Sequence, residues 1–228
     1  MNDLFWVIYP YISITIFFSG YIYTYLTRRY YWSARSLQLL SKRTHSYASN
    51  LFHYGIVIVL LGHLFGIALP ASALLAIGIS YSLHIALAFY LGATFGIITI
   101  IGLIWLLAIS YFTKAVDSLS VTDHLVYIIL VLVLITGLYN TLVVHPNYEA
   151  TVAPWFQGLI TFHPNPVLMT QAPLILQVHV ALSFLLYAIW PFSRLVHVFT
   201  FPVTYLWRPY IVYRRYSLSK IRKKEKPF

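Results

Sequence analysis

The chain has 228 residues, of which 60% are hydrophobic and only 9% charged, far below the roughly 25% charged residues of a soluble domain. Its net charge of +10 gathers in Arg28–Arg43 and Arg208–Lys226, with only Lys114 and Arg194 elsewhere, a one-sided pattern that belongs to a membrane protein and not to a nucleic-acid binder. With no cysteine, the chain cannot form disulfides, hold a thiolate-ligated iron–sulfur cluster or attach haem through C-x-x-C-H.

Five apolar runs follow in order, each near the roughly 20 residues that cross a bilayer. The N-terminus lacks a basic start and a small-residue cleavage site, so Met1 onward is expected in the mature protein. The first run, Leu4 to Leu26, ends at Arg28 and Arg29. The second spans Leu51 to Leu69, with Ser49 and Asn50 expected as caps and Pro70 as its stop. The third, Leu83 to Phe112, is long enough to tilt or to project beyond the hydrocarbon. The fourth runs from His124 to Val144, and a Pro-rich connection leads to the fifth, Leu174 to Phe201. Residues 202–228 then form a basic tail.

The expected fold is a single all-α membrane domain, a bundle of five transmembrane helices without internal repeats. Lys and Arg occupy the loops after runs one and three and the tail, while Glu149 is the only charge in the loop after run four. That asymmetry predicts an N-terminus outside and a C-terminus in the cytoplasm, in a multi-pass protein of the cell membrane. A β-barrel is excluded because the runs are too long and too uniformly apolar for its alternating pattern.

Four histidines lie well inside apolar runs: His53 and His63 in the second, His179 and His197 in the fifth. A histidine in hydrocarbon is costly unless partnered, whether by a hydroxyl, a carbonyl or a metal. Opposite helix directions place His53 level with His197 near the inner end, and His63 level with His179 near the outer end. Two facing imidazoles supply both axial positions of a haem iron, whereas zinc needs three or four protein ligands close together. Two b-type haems, one per pair, are therefore the expected cofactors. The spacings disagree, since 10 residues separate His53 from His63 and 18 separate His179 from His197, rises of roughly 15 and 27 Å on straight helices. A kink at Pro191 is expected to reconcile them. Gly55, Gly62 and Gly66 suit the approach of a flat macrocycle, and equally suit close helix packing, as the Gly62/Gly66 and Gly92/Gly96 spacings do.

Two segments carry a family resemblance. Ser49-Asn-Leu-Phe-His53 with Gly62-His63-Leu-Phe-Gly66, and Trp190-Pro-Phe-Ser-Arg194-Leu-Val-His197 running on to Arg208-Pro-Tyr210, closely resemble the respiratory nitrate reductase gamma subunit, a dihaem cytochrome b membrane anchor. Ile8-Tyr-Pro-Tyr11 is similar to the start of that family. The resemblance implies five helices, axial ligation by His53, His63, His179 and His197, and oxidation of menaquinol or ubiquinol near the outer haem. It also implies electron flow through the inner haem to an iron–sulfur beta subunit and a molybdenum alpha subunit, which reduces nitrate. The family often carries a quinone-linked lysine near the outer start of the third helix, but no Lys or Arg occurs here between Arg43 and Lys114. His84 falls at about that position, which makes Gly62, His63 and His84 the candidate quinol site. Arg194, three residues before His197, is expected either to meet a propionate of the inner haem or to snorkel to the interface. His45, His124, His145 and His163 are expected to be solvated at span ends or in loops, and the tail to meet anionic lipid or the peripheral subunits.

Two other readings share parts of this pattern. A related cytochrome b of a sulfite-reduction-associated or heterodisulfide-type complex shares the haem ligation. A haem-free transporter using a histidine relay predicts acidic residues inside the spans, yet all five acidic residues lie at or beyond span ends.

Overall fold

A computed structural model of the chain describes residues 3–28, 42–112 and 120–199. The basic tail from 202 onward, and with it Arg208-Pro-Tyr210, lies outside the described residues. Among those described, every regular element is helical and five helices are long and apolar enough to cross a membrane.

Helix α1 covers Phe5–Arg28. Helix α2 runs Lys42–His63 and passes into a π-helical turn, Leu64–Ala68. A short α3, Ala71–Ala76, precedes the long α4, Tyr81–Phe112. Helix α5, Val121–Tyr139, also ends in a π turn, Asn140–Val144. Two short helices, α6 (Val152–Ile160) and α7 (Val167–Thr170), lead to α8, Leu174–Ile189, and to 3₁₀ turns at Trp190–Phe192 and Arg194–Phe199.

Two boundaries differ from the sequence expectation. Ser49 and Asn50 do not cap α2, which begins a full two turns earlier, at Lys42; the polar stretch before the apolar run contains no helix breaker, so the helix extends through it. The fifth span does not remain α-helical beyond Ile189, where α8 stops and two 3₁₀ turns separated by Ser193 follow. Pro191 has no N–H to donate, Ser193 is extended at φ −123° and ψ 178°, and the Trp190 indole donates back to the Leu195 carbonyl at 2.7 Å. These features end the α-helix and break its direction at Ser193.

The principal packing partners form a row: α1 on α8, α8 on α5, α5 on α4, and α4 on α2. The α2–α4 contact is the closest. A Cβ on Gly102 would lie 2.5 Å from the Phe52 backbone nitrogen, and one on Gly55 would lie 2.5 Å from Thr99 Oγ1, so only glycine permits this approach. At the His63 end, Trp6, Trp155, Met169, Leu176, Val180 and Phe184 form one core cluster. Polar ties lock that end together: Trp155 Nε1 donates to the Trp6 carbonyl at 3.1 Å, Tyr11 OH to Leu159 at 3.0 Å, and Tyr9 OH to Ala181 at 2.8 Å. Toward the other end, Leu103, Val126, Ile129, Leu130, Leu134, Leu186 and Trp190 form a second cluster. Large apolar side chains such as Ile22, Ile104 and Ile128 point outward, as helices facing lipid require.

Candidate functional site

The row of helices curls so that α2 and the α8 segment face each other, and the four histidines meet in two pairs. The rings of His53 and His197 are 6.0 Å apart between centroids, and those of His63 and His179 are 6.1 Å apart. The axial spacing is reconciled by the break after α8. His179 to Ile189 is ten residues of continuous helix, as is His53 to His63, a rise of about 15 Å in each case. Pairing at both levels therefore requires residues 190–197 to add little height, and the extended Ser193 between two 3₁₀ turns is where the chain can change direction.

Each of the four rings is oriented by a backbone carbonyl. His53 Nδ1 donates to Ser49 O at 2.7 Å, with Ser49 Oγ 3.2 Å away. His63 Nδ1 donates to Val59 O at 2.8 Å, and His197 Nδ1 to Arg194 O at 2.5 Å. His179 Nδ1 is shared between Val133 O and Thr136 Oγ1, both at 3.1 Å. The Thr136 hydroxyl itself donates to Leu132 O at 2.8 Å, so it accepts from the ring. A carbonyl only accepts, so each Nδ1 carries a proton, which leaves Nε2 as the nitrogen through which a neutral ring ligates a metal. Two imidazoles on one iron, with metal–nitrogen bonds of roughly 2 Å, place ring centroids about 6 Å apart. The observed spacings match that figure. Among the described residues, no three His, Asp or Glu side chains cluster as a zinc site needs.

The walls between the pairs suit a flat group. Both α2 histidines are exposed at the surface of that helix, and a Cβ on Gly62 would meet no protein atom within 4 Å. The three glycines singled out in the sequence thus divide: Gly62 faces open space, Gly55 serves the α2–α4 packing, and Gly66 faces His84. The Gly92/Gly96 spacing is a packing motif against Thr141 and Leu138 of α5. Sequence reasoning missed Gly137 of α5, where a Cβ would lie 2.9 Å from His179 Cε1; its absence lets the ring lie against the helix.

At the His53 end, Arg194 Nε donates to Asp123 Oδ2 at 3.0 Å and its backbone N–H to Asp123 Oδ1 at 3.3 Å. Asp123 also completes a capping box with Ser120 at the start of α5. The residue whose carbonyl orients His197 is thereby tied to another span. At the opposite end, Gln157 Nε2 donates to the carbonyls of Ile67 and Leu69 at 3.1 and 3.2 Å, satisfying backbone groups at the end of the π turn.

His84 lies near this corner, with its Nε2 3.2 Å from the position of a Gly66 Cβ, while its Nδ1 pairs with Glu149 Oε1 at 2.5 Å. The π turn of α5 and a left-handed His145 (φ 46°) turn the chain toward that contact. Sequence placed Glu149 in the loop as a lone charge, a signal that it needs a partner, without showing that the partner is 65 residues away. Beside it, burial pushes the Tyr148 phenol above its ordinary value, against an opposing hydrogen bond from Thr141, so Tyr148 stays neutral. Of the remaining histidines, His145 packs against Phe89 with centroids 5.5 Å apart, His124 donates through Nδ1 to Ser120 O at 2.9 Å, and His45 falls within α2.

Comparisons with known proteins agree with this architecture. The sequence profile of the family described as "Nitrate reductase gamma subunit" matches residues 2–216. The chain is 36% identical over 221 residues to the nitrate reductase gamma chain of Bacillus subtilis (strain 168), covering 95% of this chain and 99% of that one. It is 31% identical over 223 residues to the respiratory nitrate reductase 1 gamma chain of Escherichia coli (strain K12), covering 94% and 97% of the two chains. A nitrate reductase-like protein, NarX, of Mycobacterium tuberculosis (strain ATCC 25618 / H37Rv) is 37% identical over 222 residues, which span 94% of this chain and 34% of that longer protein. With five membrane-spanning helices and a match over nearly its whole length, the chain belongs to the nitrate reductase gamma subunit family.

Proposed function

We propose that this chain is the dihaem cytochrome b subunit of a membrane-bound nitrate reductase, oxidising quinol at its outer end and passing electrons toward the cytoplasm. The observation that carries this reading is the double pairing: His53 with His197 and His63 with His179, each pair at iron-spanning distance, every ring oriented through Nδ1. Haem would supply one-electron redox chemistry, and histidine pairs on levels about 15 Å apart would carry electrons across about half of the roughly 30 Å hydrocarbon core.

The protein's part is to hold and orient. His53 and His197 would hold the inner haem, and His63 and His179 the outer one. Asp123 fixes Arg194, whose carbonyl aims His197. Because Arg194 Nε serves Asp123, a propionate contact by Arg194 would use its Nη groups. Thr136 and the Val133 carbonyl set the His179 tautomer and orient its ring. Gly62, His63 and His84 line the quinol site, where menaquinol or ubiquinol gives up electrons and protons.

Charge asymmetry supports an N-terminus outside and a C-terminus in the cytoplasm of a cell membrane. On the cytoplasmic side an iron–sulfur beta subunit receives the electrons and a molybdenum alpha subunit reduces nitrate; the gamma-chain names of the relatives support such an assembly. The test is anaerobic addition of a quinol to membranes holding the complex. Bands of reduced b haem should appear, then fade on addition of nitrate. Haems that quinol fails to reduce, or that nitrate fails to reoxidise, contradict the reading.

A further inference from the structure

The His84–Glu149 contact is unusual for a span end. These are two of the few ionisable groups at the His63 end, they belong to segments 65 residues apart, and they meet at 2.5 Å. The contact is only partly shielded, with side-chain exposures of 15% for His84 and 21% for Glu149. Burial is thus deep enough to strengthen the pairing, while a path to water remains. A carboxylate only accepts, so Nδ1 of His84 carries a proton, and in the neutral ring Nε2 then carries the lone pair. That Nε2 points toward Gly66 on the π turn, three residues past His63. Placing a π turn next to a ligand position is a recurrent arrangement at functional sites.

We propose that His84 and Glu149 form a proton-accepting dyad for the quinol, with His84 Nε2 as the general base and Glu149 as the residue that positions and charges it. This rests on the quinol-oxidising reading above. In each proton transfer an O–H bond of the quinol breaks and an N–H bond forms at His84 Nε2. The imidazolium is stabilised by the Glu149 carboxylate, and the proton gained at Nε2 then passes to water at that end, which restores the Nε2 lone pair while Nδ1–H stays on Glu149. The two protons of a quinol take this route one after the other, and its two electrons leave singly to the ferric b haem proposed beside His63, which is reoxidised between them. The titratable groups around the dyad are His63 on α2, His145 beyond the α5 π turn and Tyr148 next to Glu149. Burial holds the Tyr148 phenol neutral and His145 packs on Phe89, which leaves His84 and Glu149 as the connected pair. A neutral imidazole backed by a carboxylate can take a proton at the start of the third span.

The experiment uses the assembled complex in membranes. Glu149→Gln is expected to lower the maximal rate of quinol oxidation roughly 10- to 100-fold, in line with the loss of general-base assistance, with KM changed less than about 3-fold. Without the carboxylate the imidazolium is less favoured, so the acid limb of the pH profile should move to lower pH. Glu149→Asp should recover part of the rate and the position of the limb. His84→Gln should be as slow as the double variant, because the two residues act as a unit. An independent reading uses the oxidised complex: the acidic quinone analogue 2-hydroxy-1,4-naphthoquinone should bind about 10-fold more weakly to either single variant, with the haem spectrum unchanged. A Glu149→Gln complex with wild-type rate, pH profile and analogue binding overturns the proposal, as does a rate loss whose pH limb stays in place. If Glu149→Gln fails to assemble, Glu149→Asp and His84→Gln carry the same comparison, and additive effects of the two overturn it. Failure of quinol to reduce the wild-type haems would instead refute the quinol-oxidising reading itself.

Discussion

Replacing Gly137 by alanine isolates the outer histidine pair from the rest of the fold. The added Cβ would sit 2.9 Å from Cε1 of His179, 3.4 Å from Nδ1 and 3.7 Å from Nε2. Carbon atoms prefer about 3.5–4.0 Å, so the ring must retreat by roughly 0.6–1 Å. His179 Nδ1 is already 3.1 Å from both Val133 O and Thr136 Oγ1, and a shift of that size stretches both bonds past useful geometry. It also exceeds the roughly 0.2 Å tolerance of a metal–nitrogen bond. Loss of such orienting contacts typically lowers metal affinity 10- to 100-fold. Helix propensity pushes the other way, because alanine is favoured over glycine by about 1 kcal/mol inside a helix. The expected variant is therefore as heat-stable as wild type or slightly more so, yet it carries close to one b haem per chain after purification. Haem extraction with a spectroscopic count, beside a thermal melt in detergent, measures both. A Gly137→Ala protein with two haems and an unaltered spectrum would refute the geometry assigned to His179.

Other substitutions separate packing from ligation. Gly102→Ala puts a Cβ 2.5 Å from the Phe52 backbone, a clash no rotamer relieves; a loss of about 1–3 kcal/mol in unfolding stability, with both haems loosened as α2 moves, is expected in a denaturation titration. Asp123→Ala removes the partner of Arg194 and the carboxylate half of the α5 capping box, while Ser120 still caps the helix; with Arg194 partly exposed, a loss of about 1–3 kcal/mol is expected, and redox titration should show the inner haem displaced while the outer one keeps its midpoint. Gln157→Leu leaves the Ile67 and Leu69 carbonyls without their donor, a cost of about 1–3 kcal/mol that should appear as faster hydrogen exchange around the π turn. Gly62→Ala meets no protein atom, so it should fold normally while weakening quinol binding, seen as a raised KM.

The sequence made the five spans legible because hydrocarbon permits few alternatives: long apolar runs must be helices, and each run contains one. Opposed helix directions were enough to pair the four histidines, and the ring distances agree. Less was legible where tertiary contacts decide. The early start of α2 at Lys42 follows from a polar stretch that carries no stop signal. Pro191 marked a bend, but the break at Ser193 also needs the Trp190 indole to reach the Leu195 carbonyl, a contact no periodicity reveals. Gly55 and Gly62 look alike in sequence, and only the neighbouring helix distinguishes packing at the first from open space at the second. Glu149 and Asp123 were visible as isolated acids, while their partners, His84 and Arg194, are set by the way the row of helices curls.

The proposed electron path depends on the paired histidines holding iron. The direct measurement is the haem content and low-spin signature of the purified subunit, alone and with single ligands removed. Two b haems per chain are predicted for the wild type, with His63→Ala or His179→Ala losing the same outer haem and His53→Ala or His197→Ala losing the same inner one. A wild-type chain without haem, or variants within one pair that lose different haems, would contradict it.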